Sequence, residues 1–89
     1  MKTRQTTFGT VLTGYRIEKG LSQKQLALAA EIDQSQLAGI ETGRRSPPRD
    51  KLLVRLMDSL GLNDQAKQKL RRARAETLAN IILDAAKFD

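Results

Sequence analysis

The chain contains no cysteine, no histidine and no tryptophan. Without cysteine no disulfide can form, and without cysteine or histidine the usual zinc ligand sets are out of reach. The same absences remove the commonest nucleophile and the commonest general base. A nucleophile would have to be Ser, Thr, Tyr or Lys activated by carboxylates or lysine alone. Asp50, Asp58 and Glu76 show no spacing of a paired acid and base. Eighty-nine residues are also too few to enclose a pocket easily. Neither catalysis nor a cofactor or metal is expected. No apolar run reaches the ~18 residues of a membrane span, and the N-terminus, MKTRQTTFGT, lacks an apolar signal core. The expected location is the cytoplasm, in association with the nucleoid.

Basic charge, by contrast, is in excess. Sixteen Lys and Arg against ten Asp and Glu give a net charge of +6. Residues 1–48 carry seven basic and four acidic side chains, and residues 49–89 carry nine and six, so no single tail supplies the excess. A small basic domain points to nucleic acid or another anionic surface as partner. Residues 1–6 (MKTRQT) have no periodicity and read as an arm carrying Lys2 and Arg4. Such an arm can touch phosphates or the minor groove, or be an ordinary frayed terminus.

Helical periodicity runs through the rest. Phe8, Val11, Leu12 and Tyr15 set one face of a first helix, capped by Thr7 and ending at Lys19 before Gly20. Ser22 and Gln25 form a capping box that starts a second helix. Asp33 and Gln36 repeat the pattern a few residues after that helix runs out at Ala29 or Ala30, and Gly43 stops the third. Leu26, Ala27, Ala30, Ile32, Leu37 and Ile40 supply the inner faces. Pro47 and Pro48 break the chain, with Pro48 placed to begin a fourth helix that carries Leu52, Leu53, Leu56, Met57 and Leu60. Asn63 or Asp64 caps a last helix running to about Lys87. Its first half is polar and basic, and its second half presents Leu78, Ile81, Ile82, Ala85 and Phe88. Two short helices joined by a tight turn leave the second one proud of the surface, as in a helix-turn-helix.

The stretch from Leu12 to Leu62 resembles the phage-repressor-like Cro/cI (Xre) helix-turn-helix domain. The residues carrying the resemblance are Gly20-Leu21-Ser22-Gln23, Gln25-Leu26-Ala27, then Ile32, Leu37 and Ile40 before Glu41-Thr42-Gly43-Arg44, with Pro47 and the Leu-rich fourth helix beyond. The fold implied is all-α, a five-helix repressor-like DNA-binding domain with helices 2 and 3 as the helix-turn-helix and a long C-terminal helix. Residues 1–62 would form the DNA-binding domain and residues 63–89 the C-terminal, dimerising helix. The resemblance implies base contacts from Gln34, Ser35 and Gly39, with Gln36 and Ala38 beside them. It implies phosphate contacts from Gln23, Thr42, Arg44 and Arg45, to which the neighbouring Lys24 is added. It also implies an ion pair between Arg16 and Glu41. A glutamine amide offers a donor beside an acceptor, which suits the N6 and N7 edge of adenine. Two departures stand out: Glu31 occupies the turn where relatives usually have glycine, and Gly39 stands where they often carry a long side chain.

The function expected is a sequence-specific, double-stranded-DNA-binding regulator, a dimeric repressor reading an inverted repeat. Its two copies would meet along Leu78, Ile81, Ile82, Ala85 and Phe88. The alternative is an antitoxin or adaptor whose residues 77–88 dock into a partner protein as an amphipathic helix. A C-terminal helix that folds back on its own body is the third way to cover that apolar end.

Overall fold

The first described residue, Thr6, is also the first cap. The structure, a computed structural model, describes residues 6–86. Lys2 and Arg4 of the arm, Lys87 at the expected helix end, and Phe88 of the expected seam lie outside that range. Five helices follow in order: α1 (Thr7–Glu18), α2 (Gln23–Ala30), α3 (Gln34–Thr42), α4 (Asp50–Ser59) and α5 (Asp64–Ala86). There is no strand among the described residues.

The boundaries follow from local bonding. Thr6, one residue before the expected cap, accepts the amide of Gly9 at 3.0 Å and begins α1. The Ser22–Gln25 capping box is complete: Ser22 Oγ accepts the Gln25 amide at 3.0 Å, and Gln25 Oε1 accepts the Ser22 amide at 2.8 Å. The second box does not form. Asp33 has the extended backbone of an N-cap, but its side chain makes no capping bond. Pro48 also falls short of its expected place, since Arg49 is the N-cap and α4 begins at Asp50. The X-Pro geometry holds residues 46–49 out of the helix while Pro48 itself is buried. Asn63 Oδ1 accepts the Ala66 amide at 2.8 Å and starts α5. Between α2 and α3, Glu31 takes the left-handed conformation at φ 61°, which costs a non-glycine residue about 1–2 kcal/mol.

The core gathers Phe8, Leu12, Leu26, Leu37, Leu53, Leu56, Met57 and Leu70, all sealed from solvent. Each such side chain contributes about 1.5–3 kcal/mol on burial. Leu52 is only half-buried at the margin. On α5 the buried positions are Leu70, Ala73 and Thr77, a stripe at spacings of three and four. Thr77 Oγ1 accepts the amide of Phe8 at 2.9 Å, which satisfies an otherwise unpaired donor in the first turn of α1. The first half of α5 is therefore built into the same core as α1. The second half does not fold back: Leu78, Ile81, Ile82 and Leu83 are all exposed.

One ion pair locks α1 to the far end of α3. Arg16 Nε donates to Glu41 Oε2 at 2.7 Å and its NH2 group to Oε1 at 3.1 Å. The third arm of the guanidinium, NH1, donates to the Leu21 carbonyl at 2.8 Å and so pins the turn into α2. The side chains are only 13% and 4% exposed, which makes this a buried pair. The helices can come this close because position 9 is glycine. A Cβ there would collide with the Glu41 carbonyl.

Two stability changes follow. Glu41→Ala strands the Arg16 charge and is expected to cost about 3–5 kcal/mol, read as a lowered urea midpoint. A cost under about 1 kcal/mol would mean a loosely solvated pair. Gly14 sits inside α1 with open space where a Cβ would go. Gly14→Ala is expected to raise stability by about 0.5–1 kcal/mol in the same assay.

Candidate nucleic-acid interface

Helical spacing divides α3 into two faces. Leu37 and Ile40 point into the core, while Ser35, Ala38, Gly39 and Thr42 fall on the opposite side. Gln34 and Ser35, in the first turn, are exposed; Gln36 and Ala38 are half-buried. Among the described residues neither Gln34 nor Ser35 has a side-chain bond to the protein, and both are exposed with their bonding capacity open.

Gly39 behaves differently from its expected role as an open contact. It is buried although it lies on the outer face, because Arg45 lies across it. A Cβ at position 39 would stand 2.8 Å from Arg45 Cγ and Cδ and 3.0 Å from Nε. The Arg45 amide also donates to the Gly39 carbonyl at 3.0 Å. The chain thus doubles back after Gly43, and Arg45 supplies a cation on the α3 surface where Gly39 itself offers no side chain. Arg44 and Arg45 are both exposed.

Thr42 serves the same bend. Its hydroxyl donates to the Ala38 carbonyl at 2.9 Å and accepts from Arg44 Nε at 3.4 Å. In this conformation its only proton is committed to the α3 backbone, so Thr42 orients Arg44 and offers no free donor of its own.

Gln23, the first residue of α2, is half-buried and donates through Nε2 to Glu41 Oε1 at 3.0 Å. Among the described residues the second Nε2 hydrogen has no acceptor. Lys24 beside it is exposed. Arg16, Gln23 and Glu41 are thus one connected group, and it fixes the start of α2 against the end of α3.

Two anchors are not readable as site residues in the sequence. Arg74 of α5 donates from NH1 to the Pro48 carbonyl at 3.2 Å and pairs through NH2 with Asp50 Oδ1 at 2.7 Å. Asp50 is largely exposed, so the pair itself contributes under about 1 kcal/mol, but the carbonyl bond moors the segment that carries Arg44 and Arg45. Thr77 does the same for the start of α1. The Leu70–Ala73–Thr77 spacing was available as a signal for the buried stripe, but nothing local pointed to Arg74. Of the expected seam, Leu78, Ile81, Ile82 and Ala85 are exposed on α5, and the exposed Leu83 was not foreseen.

Among the described residues no group of acidic, His or Cys side chains could hold a metal ion, and no helix is long and apolar enough to cross a membrane.

Comparison with known proteins agrees with this geometry. A family described as a helix-turn-helix domain matches residues 7–70. No curated protein matches the sequence. Among solved structures, the restriction-modification controller protein C.AhdI from Aeromonas hydrophila is 31% identical, with a TM-score of 0.65 over 73% of this chain and 92% of that one. The clp gene regulator ClgR from C. glutamicum is 26% identical, with a TM-score of 0.64 over 79% and 87%. The wild-type controller protein C.Esp1396I is also 26% identical, with a TM-score of 0.66 over 80% and 92%. The chain belongs to the helix-turn-helix family, in the Cro-like branch of all-α transcriptional regulators.

Proposed function

We propose that the protein is a sequence-specific, double-stranded-DNA-binding transcriptional regulator, acting as a dimeric repressor. The observation that carries this reading is the outer face of α3: Gln34 and Ser35 open at its first turn, Arg45 laid over Gly39, and Arg44 alongside. A helix presented this way fits a major groove, where side chains of its first turn reach base edges. Gln34 reads an adenine through its amide; Ser35, Gln36 and Ala38 stand beside it. Arg44, Arg45, Gln23 and Lys24 neutralise or bond phosphates on either flank, setting register without reading sequence. The solved relatives include a clp gene regulator and restriction-modification controller proteins, which supports regulation as the biological role.

Dimerisation rests on the exposed Leu78, Ile81 and Ile82 with Ala85 beyond them. Two copies related by a two-fold axis would read half-sites about 34–36 Å apart. The same exposed apolar end favours the second reading, an antitoxin or adaptor docking residues 77–88 into a partner protein. Catalysis has no support in either reading.

Affinity selection from random duplexes at physiological salt tests the proposal. An inverted repeat with one-turn spacing is the expected product; a lone half-site would remove the dimer, and no enrichment would remove DNA reading altogether. On the selected site, Gln34→Ala is expected to cost about 1–3 kcal/mol and relax one or two base pairs, whereas Arg44→Ala weakens all sequences alike and lowers the salt slope by about 1. Identical behaviour of the two variants would dissolve the distinction between reader and clamp. Gly39→Ala supplies a further check, because its methyl group must displace the Arg45 side chain. Its loss of DNA affinity is expected to match that of Arg45→Ala, and the double variant should be no worse than either; additive losses would show that Arg45 acts from elsewhere.

A further inference from the structure

α1 has a second working face. Gly9 and Arg16 turn toward Glu41 and α3, whereas Tyr15 and Glu18 lie about 100° or more around the helix, with Lys19 at its C-cap beside them. They face the start of α5. Between them opens a cleft of about 680 Å³, lined by Lys69 and Arg72 on α5 and by Leu62 just before it. That volume is within the range of small-molecule sites, about 300–1,000 Å³.

The charges in this cleft are unbalanced. Lys19, Lys69 and Arg72 line it, against the single carboxylate of Glu18. None of the three cations is ion-paired among the described residues, where the pairs are Arg16–Glu41 and Arg74–Asp50. Lys69 Nζ instead stands 6.0 Å above the Tyr15 ring, drawn by the ring face rather than by a carboxylate. The Tyr15 hydroxyl has no protein partner among the described residues. Three unpaired cations and one anion leave a surplus of two positive charges beside a half-buried aromatic ring. A phosphomonoester carries about −1.5 to −2 at neutral pH and three acceptor oxygens. It matches the surplus in sign and size, and the lysines and arginine match the donors that phosphates take.

We propose that the cleft between α1 and the first turns of α5 binds a small phosphorylated molecule of nucleotide size. The phosphate sits among Lys19, Lys69 and Arg72, and its organic part lies against Tyr15 and Leu62. The cleft shares no lining residue with the outer face of α3.

The test is an amide chemical-shift titration of the full chain with adenosine 5′-monophosphate, with adenosine and with sodium chloride at matched ionic strength as controls. Saturable shifts confined to the neighbourhoods of Tyr15, Lys19 and residues 61–72 are expected with the nucleotide alone. Lys69→Gln with Arg72→Gln should weaken that binding about tenfold or more, since charge-assisted bonds are lost. Both side chains are exposed, and an unchanged remainder of the spectrum verifies that the variant folds. Shifts that follow ionic strength, that spread to Arg44 and Arg45, or that survive the double substitution would overturn the proposal. A DNA backbone phosphate could present the same chemistry. If the double variant lowered the salt slope of DNA binding, the cations would belong to the DNA contact and the small-molecule site would be lost.

Discussion

A carboxylate buried where three helices meet is the constraint on which this structure turns. Glu41 is 3% exposed, and an ionised group in that position persists only if its oxygens are bonded. α1 supplies Arg16 and α2 supplies Gln23, so the end of α3 is tied to both neighbours through one group. The tie matters because α2 and α3 have only eight and nine residues. Helices of that length are marginal in water and take their stability from tertiary packing. Propensity alone could not hold α3 at a fixed angle; the Glu41 group and the contact at Gly9 do so, and they leave the opposite face of α3 open.

The parts of this arrangement that were legible in the sequence are the local ones. Ser22 with Gln25 announced α2 because a capping box involves residues three apart, and Gly43 announced the end of α3 for the same reason. Arg16 and Glu41 could be paired only through the family resemblance, since 25 residues separate them. Two local signals were misread. Asp33 looked like a capping side chain, but its backbone occupies the cap position without the bond. Pro48 looked like a first helical residue, but burial and the Arg74 bond hold it in the extended segment before α4. At Pro48 a local preference was real and a long-range contact decided the outcome.

Gly39 is the clearest instance. As a single letter it is a weak spot in a helix, costing about 1 kcal/mol against alanine and presenting nothing to a partner. In three dimensions it is the space that Arg45 fills. The apparent loss of a side chain from α3 is offset by a cation delivered from outside the helix. Helical periodicity cannot find such a substitution, because the two residues belong to different elements and meet only after Gly43 reverses the chain.

α5 extends the same logic to the other end of the molecule. Thr77 is the last buried residue along it, and it bonds the second residue of α1. Beyond it, none of the nine helical residues from Leu78 to Ala86 is fully buried among the described residues. They nevertheless carry Leu78, Ile81, Ile82 and Leu83, which a solvated helix has no reason to concentrate. Residues 78, 81, 82 and 85 form one continuous stripe, the arrangement that a second helix of the same kind can match by symmetry. A partner seated on that stripe would lie directly beyond Arg74 and Thr77, the two side chains that moor the Arg45 segment and the start of α1. Such a partner would be coupled to the face of α3 through a single helix, which is what the proposed reading of two half-sites at a fixed separation would require.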